Sequence, residues 1–196
     1  MPRQVLQPAD GLLKPRGVVV MGIDPGLANA GVMVLRFTAS GGCAVKFSQD
    51  IHTKPEGKKR GTREASDDDR RVEILQVQFT KLLAESCPDV VACERCPSLR
   101  NPSAQRKTAL AYATFRAVVR AKGLPWLVFE PVDIKQRVTG SKKASKDEMV
   151  AGLKRLFPTY KGWPVKSRVE HVADAGGAAL CAERDPLVEM LLRERS

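Results

Sequence analysis

The chain has 196 residues, 43% of them hydrophobic, enough for one packed core, so a single domain over 1–196 is the first expectation. Thirty-three Lys plus Arg against 22 Asp plus Glu leave a formal net charge of +11, which favours a polyanionic partner, nucleic acid first. No run approaches the roughly 18 apolar residues of a membrane-spanning helix, no basic lipid-facing helix stands out, and the N-terminus lacks a signal peptide's apolar core; the chain reads as soluble and cytoplasmic.

Val18 to Ile23 is a continuous apolar, β-branched run, the pattern of a strand covered on both faces, and it ends in Asp24. Pro25 and Gly26 turn the chain, and Gly31 opens a second apolar strand, Val32 to Phe37. A carboxylate at a buried strand end is costly unless its charge is used, as in fixing a divalent cation. A hairpin-capping Asp explains this segment alone equally well. Cys43 to Ile51 is suited to a third strand of the same meander, and the basic stretch Thr53 to Arg63, without apolar period, to a mobile loop that either touches phosphate or is simply solvated.

Ser66 followed by Asp67, Asp68 and Asp69 predicts an N-cap and an acidic first turn for a helix whose sheet-facing stripe is Val72, Leu75, Phe79, Leu82 and Leu83. Consecutive acids point around a helix rather than converging, so capping is preferred to a metal cluster there. Asp89 to Glu94 is the next strand, again apolar until a terminal carboxylate. If it runs parallel beside the first, Asp24 and Glu94 end about 5 Å apart, near enough to share a cation. Five cysteines, an odd number, include Cys93 and Cys96 in a C-x-x-C; with no second such pair, small buried side chains explain them better than zinc or redox chemistry.

A Pro- and Arg-containing connection leads to a long helix from about Ala104 to Ala121, with Ala109, Ala113 and Val118 on a small-residue face for the sheet or a second copy, and Arg106, Lys107, Arg116 and Arg120 outside. Pro125 to Phe129 is a fifth strand. Cations then gather between Lys135 and Lys146, including Arg137, Lys142 and Lys143, around Gly140. Near a helix N-terminus they oppose the dipole, which points to phosphate contact. Ser145 and Glu148 form a capping box for a helix with Met149, Leu153, Leu156 and Phe157 inward. On the last core helix His171 and Asp174 share a face, and Gly176, Gly177, Ala178 and Ala179 would let it approach the sheet closely. A hydrogen-bonded structural pair is the plainer account of His171 and Asp174 alone; with Asp24 and Glu94 they complete a cation site. Asp185 and Pro186 start a short terminal helix with Leu187, Met190 and Leu191.

Gly22-Ile-Asp24-Pro-Gly26 with Gly31, Ala92-Cys-Glu94, Val132-Asp-Ile-Lys135 through Gly140, and Ala173-Asp174-Ala175 together resemble RuvC-type Holliday junction resolvases, in order and spacing, from about Gly17 to Cys181. The resemblance implies an RNase H-like α/β fold, a mixed five-stranded sheet flanked by helices on both faces, in one nuclease domain with 1–16 and 182–196 as terminal extensions. It implies a homodimer that cuts four-way DNA junctions by paired symmetrical nicks, in a bacterial or phage-infected cell. Asp24, Glu94, His171 and Asp174 fall on the four metal-site positions, the third being Asp in many members and His in others. The implied chemistry is two-metal phosphodiester hydrolysis with two Mg²⁺ per site, one activating water and one stabilising the leaving 3′ oxygen, and Mn²⁺ able to substitute because imidazole suits it better.

Lys135 and Lys146 match positions that contact DNA near the cut, and Arg100, Arg106, Lys107, Arg137, Lys142 and Lys143 extend the basic set. Members commonly carry an aromatic wedge after the Glu; here Arg95 to Leu99 has none, and Leu99 is the apolar substitute. Three alternatives remain: an actin-like ATPase, which shares the Gly-Ile-Asp turn but needs two such domains; a junction-binding protein without cleavage; and an RNase H-like nuclease for flaps or forks. A branch-migration partner is left open.

Overall fold

Alternation within each strand decides which residues meet in this protein. The computed structural model describes residues 17–56, 64–96 and 100–196. Strands β1 (Val18–Asp24), β2 (Asn29–Phe37) and β3 (Cys43–His52) form the expected antiparallel meander. β2 begins two residues before Gly31, so that glycine lies inside the strand, opposite Asp24. β4 (Val90–Glu94) joins β1 in parallel and β5 (Trp126–Phe129) joins β4 in parallel, giving the mixed order β3-β2-β1-β4-β5 with β1 central.

Because side chains alternate along a strand, Val19, Met21 and Ile23 face one side and Val18 and Val20 the other. Helices α1 (Glu64–Ser86) and α2 (Pro102–Ala121) cover the first side; Leu75, Phe79, Leu82 and Leu83 of α1 are buried there, and Phe79 meets Phe115 edge-on at 4.7 Å between ring centroids. Helices α3 (Pro131–Thr139), α4 (Lys146–Leu156) and α5 (Val169–Ala182) cover the second, and α6 (Pro186–Glu194) packs its Val188 into that same core. The sheet is therefore flanked on both faces, an RNase H-like arrangement.

Several local expectations change. α1 starts at Glu64, before Ser66, and Asp67 and Asp68 do not simply cap it. Both are buried: Asp67 accepts from the Glu56 backbone N–H at 3.0 Å and from Arg70 at 2.7 Å, while Asp68 faces Arg106 at 2.6 Å and Arg71 at 3.7 Å. Arg71 in turn donates to Thr53 Oγ1 at 2.9 Å, and the Thr53 backbone N–H bonds Ala28 O at 2.9 Å. Thr53 is thus a buried anchor, and only 57–63 of the expected loop lies outside the described residues, as does Leu99.

On α2, Asn101 is the N-cap, and Ala111, Phe115, Val118 and Val119 are the buried stripe; Ala109 and Ala113 are exposed, one helical face away from the expected one. The Ser145 capping box forms as expected, but Leu156 is exposed. At the far end, α6 is capped by Asp185. Beyond it Arg195 grips Asp89 at 2.7 and 2.8 Å, tying the C-terminal segment to the start of the sheet.

Candidate active site

Asp24 and Glu94 end neighbouring parallel strands, one step beyond the Ile23–Cys93 register pair, and alternation turns both toward the α5 side, away from Ile23 and the helices α1 and α2. α5 approaches that face closely because two strand positions beneath it, Gly22 and Gly31, carry no side chain. A Cβ on Gly22 would stand 1.9 Å from the Ala175 carbonyl oxygen, and one on Gly31 would stand 2.0 Å from that of His171. Of the helix's own glycines, Gly176 serves the expected approach to the sheet, against Met33 of β2, while Gly177 serves the packing of α3 and α4. Gly177 leaves room for Ile134, Val138 and Met149 of α3 and α4, and Gly176 for Met33 and Leu153. A glycine inside an apolar strand is itself a sign of close backbone approach, and Gly22 and Gly31 carried that sign in the sequence.

This approach delivers one face of α5 to the strand ends. Asp24, Glu94 and Asp174 each offer a carboxylate oxygen within 4.8 Å of the others, the one such group among the described residues. His171 adjoins it rather than joining it: its Nδ1 is 2.7 Å from Asp24 Oδ2, in a hydrogen bond. Its Nε2 lies 3.8 Å from Glu170 Oε1, and Glu170 Oε2 is 2.9 Å from Lys146 Nζ. Glu170 was not singled out from the sequence, where nothing marks it apart from other first-turn acids.

Three carboxyls in a half-buried pocket cannot all ionise cheaply. Burial, then the negative charges of Asp24 and Asp174, push Glu94 up to about 8, with Lys135 opposing. Burial and Asp24 push Asp174 up to about 7, with His171 and Lys146 opposing. The hydrogen bond to Asp24 raises His171 above the ordinary imidazole range against the effect of burial. Burial, and then the concentrated negative charge, favour the protonated acids; a divalent cation relieves that charge, and hard carboxylate oxygens are the donors that Mg²⁺ and Mn²⁺ prefer. Cys93 is on the opposite face of β4, fully buried, with its thiol directed to the Glu94 carbonyl at 3.1 Å.

Of the expected DNA-binding cations, Lys135 acts on Glu94 and Lys146 on Asp174, so both stand at the site. Lys142 and Lys143 are exposed on the turn after α3, and Arg100 is exposed just before α2. Two of the expected cations are paired with acids of the fold. Arg137 lies on the side of α3 facing the end of α5, where it pairs with Glu183 and donates to Leu180 O at 3.1 Å. Arg106 is bound to the buried Asp68. Both arginines therefore serve the fold in this structure. Lys107 is half-buried on α2.

Residues 20–182 match the family described as crossover junction endodeoxyribonuclease RuvC. The chain belongs to the RuvC family. The protein of that name from Salinispora arenicola is 31% identical over 83% of this chain and 85% of its own length, and that of Moorella thermoacetica is 28% identical over 84% and 90%. Among solved structures, Thermus thermophilus RuvC in complex with a Holliday junction substrate superposes with a TM-score of 0.71 at 21% identity, covering 89% of this chain and 97% of that one. The yeast mitochondrial Holliday junction resolvase Ydc2 superposes at 0.61 with 16% identity, over 92% and 80%. At those identities the structural likeness speaks for the fold, and the RuvC fold is the one built above from strand alternation and strand glycines.

Proposed function

We propose that this protein is a metal-dependent, structure-selective endodeoxyribonuclease that resolves four-way DNA junctions by paired symmetrical nicks, acting as a homodimer from one nuclease domain. The observation that carries the reading is the convergence of Asp24, Glu94 and Asp174 within 4.8 Å at the ends of two parallel strands, in a chain of the RuvC family. Divalent cations, when bound by these residues, would supply water activation and stabilisation of the leaving 3′ oxygen in an in-line hydrolysis.

The chain's own part is to hold, orient and neutralise. Asp24, Glu94 and Asp174 would hold the cations, Asp24 standing between the other strand end and α5. His171, fixed by its bond to Asp24, supplies an imidazole beside the acids, a donor that favours Mn²⁺. The rigid sheet and the backbone-close α5 hold these groups ready for the cations, so little reorganisation is needed when DNA arrives. Lys135 and Lys146 face the phosphate that enters, and Arg100, Lys142 and Lys143 hold the arms through backbone contacts that read branched shape more than base sequence. Two symmetry-related strands require two active sites, which a twofold dimer provides.

The deciding assay incubates a synthetic four-way junction, a flap and a fork with the protein in Mg²⁺ or Mn²⁺. Symmetrical nicks in the junction are expected, with little cutting of the others. Asp24→Asn should bind the junction and leave it whole. Binding by the wild type with no cleavage in either metal, or cleavage by Asp24→Asn, overturns the reading.

A further inference from the structure

Of the two lysines given to the entering phosphate above, Lys146 is already ion-paired in the folded chain, with a residue so far without a role. Glu170 Oε2 holds the Lys146 ammonium at 2.9 Å, and Glu170 Oε1 lies 3.8 Å from His171 Nε2. Glu170 thus stands between Lys146 and His171 beside the acidic cluster, one residue before His171 on the first turn of α5. The Lys146 side chain is 68% exposed against 33% for Glu170, so the lysine can leave while the acid stays.

A carboxylate and a phosphate offer an ammonium the same thing, an anionic oxygen at hydrogen-bond distance. Lys146 is also the first residue of α4, where the helix dipole repels its charge, so an anionic partner is favoured whether or not DNA is present.

Resting on the nuclease reading, we propose that Glu170 is a placeholder for the DNA backbone. It holds Lys146 beside the site until a strand phosphate of the junction takes its place. Glu170 is therefore a positioning residue that acts through Lys146 and opposes junction binding by the strength of the pair it makes. For an exposed pair of this kind the opposition is about two- to fivefold in affinity.

The test is junction affinity by fluorescence anisotropy, in EDTA so that no strand is cut, for wild type, Glu170→Gln, Lys146→Met and the double variant across a salt series. Glu170→Gln should tighten binding about two- to fivefold in the wild-type background and leave it unchanged beside Lys146→Met. Glu170→Asp, which keeps the charge but shortens the reach, should fall between wild type and Glu170→Gln. Thermal melts identify any variant that fails to fold, and Glu170→Ala then replaces it in the cycle. Weaker or unchanged binding by Glu170→Gln overturns the proposal, as does an equal gain in both backgrounds, which would be the general effect of removing a negative charge. Failure of the nuclease reading looks different: the wild type would leave the junction whole in Mg²⁺ and in Mn²⁺, whatever Glu170→Gln does to affinity in EDTA.

Discussion

Gly31→Ala is the sharpest test of how this site is assembled, because it adds one methyl group and changes no charge. The new Cβ would lie 2.0 Å from the His171 carbonyl oxygen, 2.2 Å from its carbonyl carbon and 2.7 Å from the Val172 nitrogen. Ordinary contact starts at 3.4 Å, so α5 would have to withdraw by about 1.4 Å at this turn. The obstacle is backbone on both sides, and no rotamer change relieves it. Overpacking of this kind costs about 1–3 kcal/mol. At roughly 2–4 °C per kcal/mol for a chain of this size, the melting midpoint should fall by about 2–12 °C.

The effect on catalysis should be larger than the effect on stability. A retreat of about 1 Å carries His171 and Asp174 away from Asp24 and Glu94, and misplacement of that size costs about 100-fold in rate. Junction cleavage at saturating DNA and metal, below the variant's melting range, measures it. A variant that melts within 2 °C of wild type and cuts within twofold of its rate would show that α5 does not need this contact, and the account of the site would fail.

Glu94 rises from 4.5 to about 8 and Asp174 from 3.8 to about 7 on folding, so the folded state binds protons more tightly than the unfolded chain between those limits. Stability contributed by these protons is present at low pH and lost as pH climbs toward 8; the raised His171 adds to it with the same sign. In EDTA the protein should therefore be less stable to urea at pH 8 than at pH 5, by at most about 5 kcal/mol from Glu94. Mn²⁺ should narrow the gap, and a Glu94→Gln variant should show a smaller one; equal stability at both pH values in EDTA would refute the electrostatics. His171→Asp should shift the metal preference toward Mg²⁺, read as a severalfold fall in the ratio of Mn²⁺- to Mg²⁺-supported rates. A wild type that clearly prefers Mg²⁺ would count against His171 as a ligand. Arg106→Ala leaves the buried Asp68 carboxylate with only Arg71, at 3.7 Å, and should cost about 3 kcal/mol in a urea melt. A loss below about 1 kcal/mol would contradict the burial argument.

Where charge and periodicity coincide, the fold was legible without coordinates. The five strands, the capping box at Ser145, the sheet-facing stripe of α1 and the two strand-terminal carboxylates all follow from local pattern, since burial on two faces demands unbroken apolar runs and makes a terminal acid conspicuous. α3 also had its signals, Pro131 at its first turn and Gly140 at its left-handed C-cap, beneath a cluster of cations that drew attention to charge instead.

Which partner each polar side chain takes was not legible. Arg106 and Arg137 look like Lys135 and Lys146 in one dimension, yet Asp68 and Glu183 claim the first two while the acidic site faces the others. The alanines of α2 suit either helix face until Phe115 chooses one. Local sequence sets period and polarity because those depend on neighbours along the chain. Parallel pairing sets β1 beside β4, with Val20 opposite Val90, and the missing side chains at Gly22 and Gly31 let α5, well over a hundred residues on, settle over Asp24; only the folded chain brings these elements into contact.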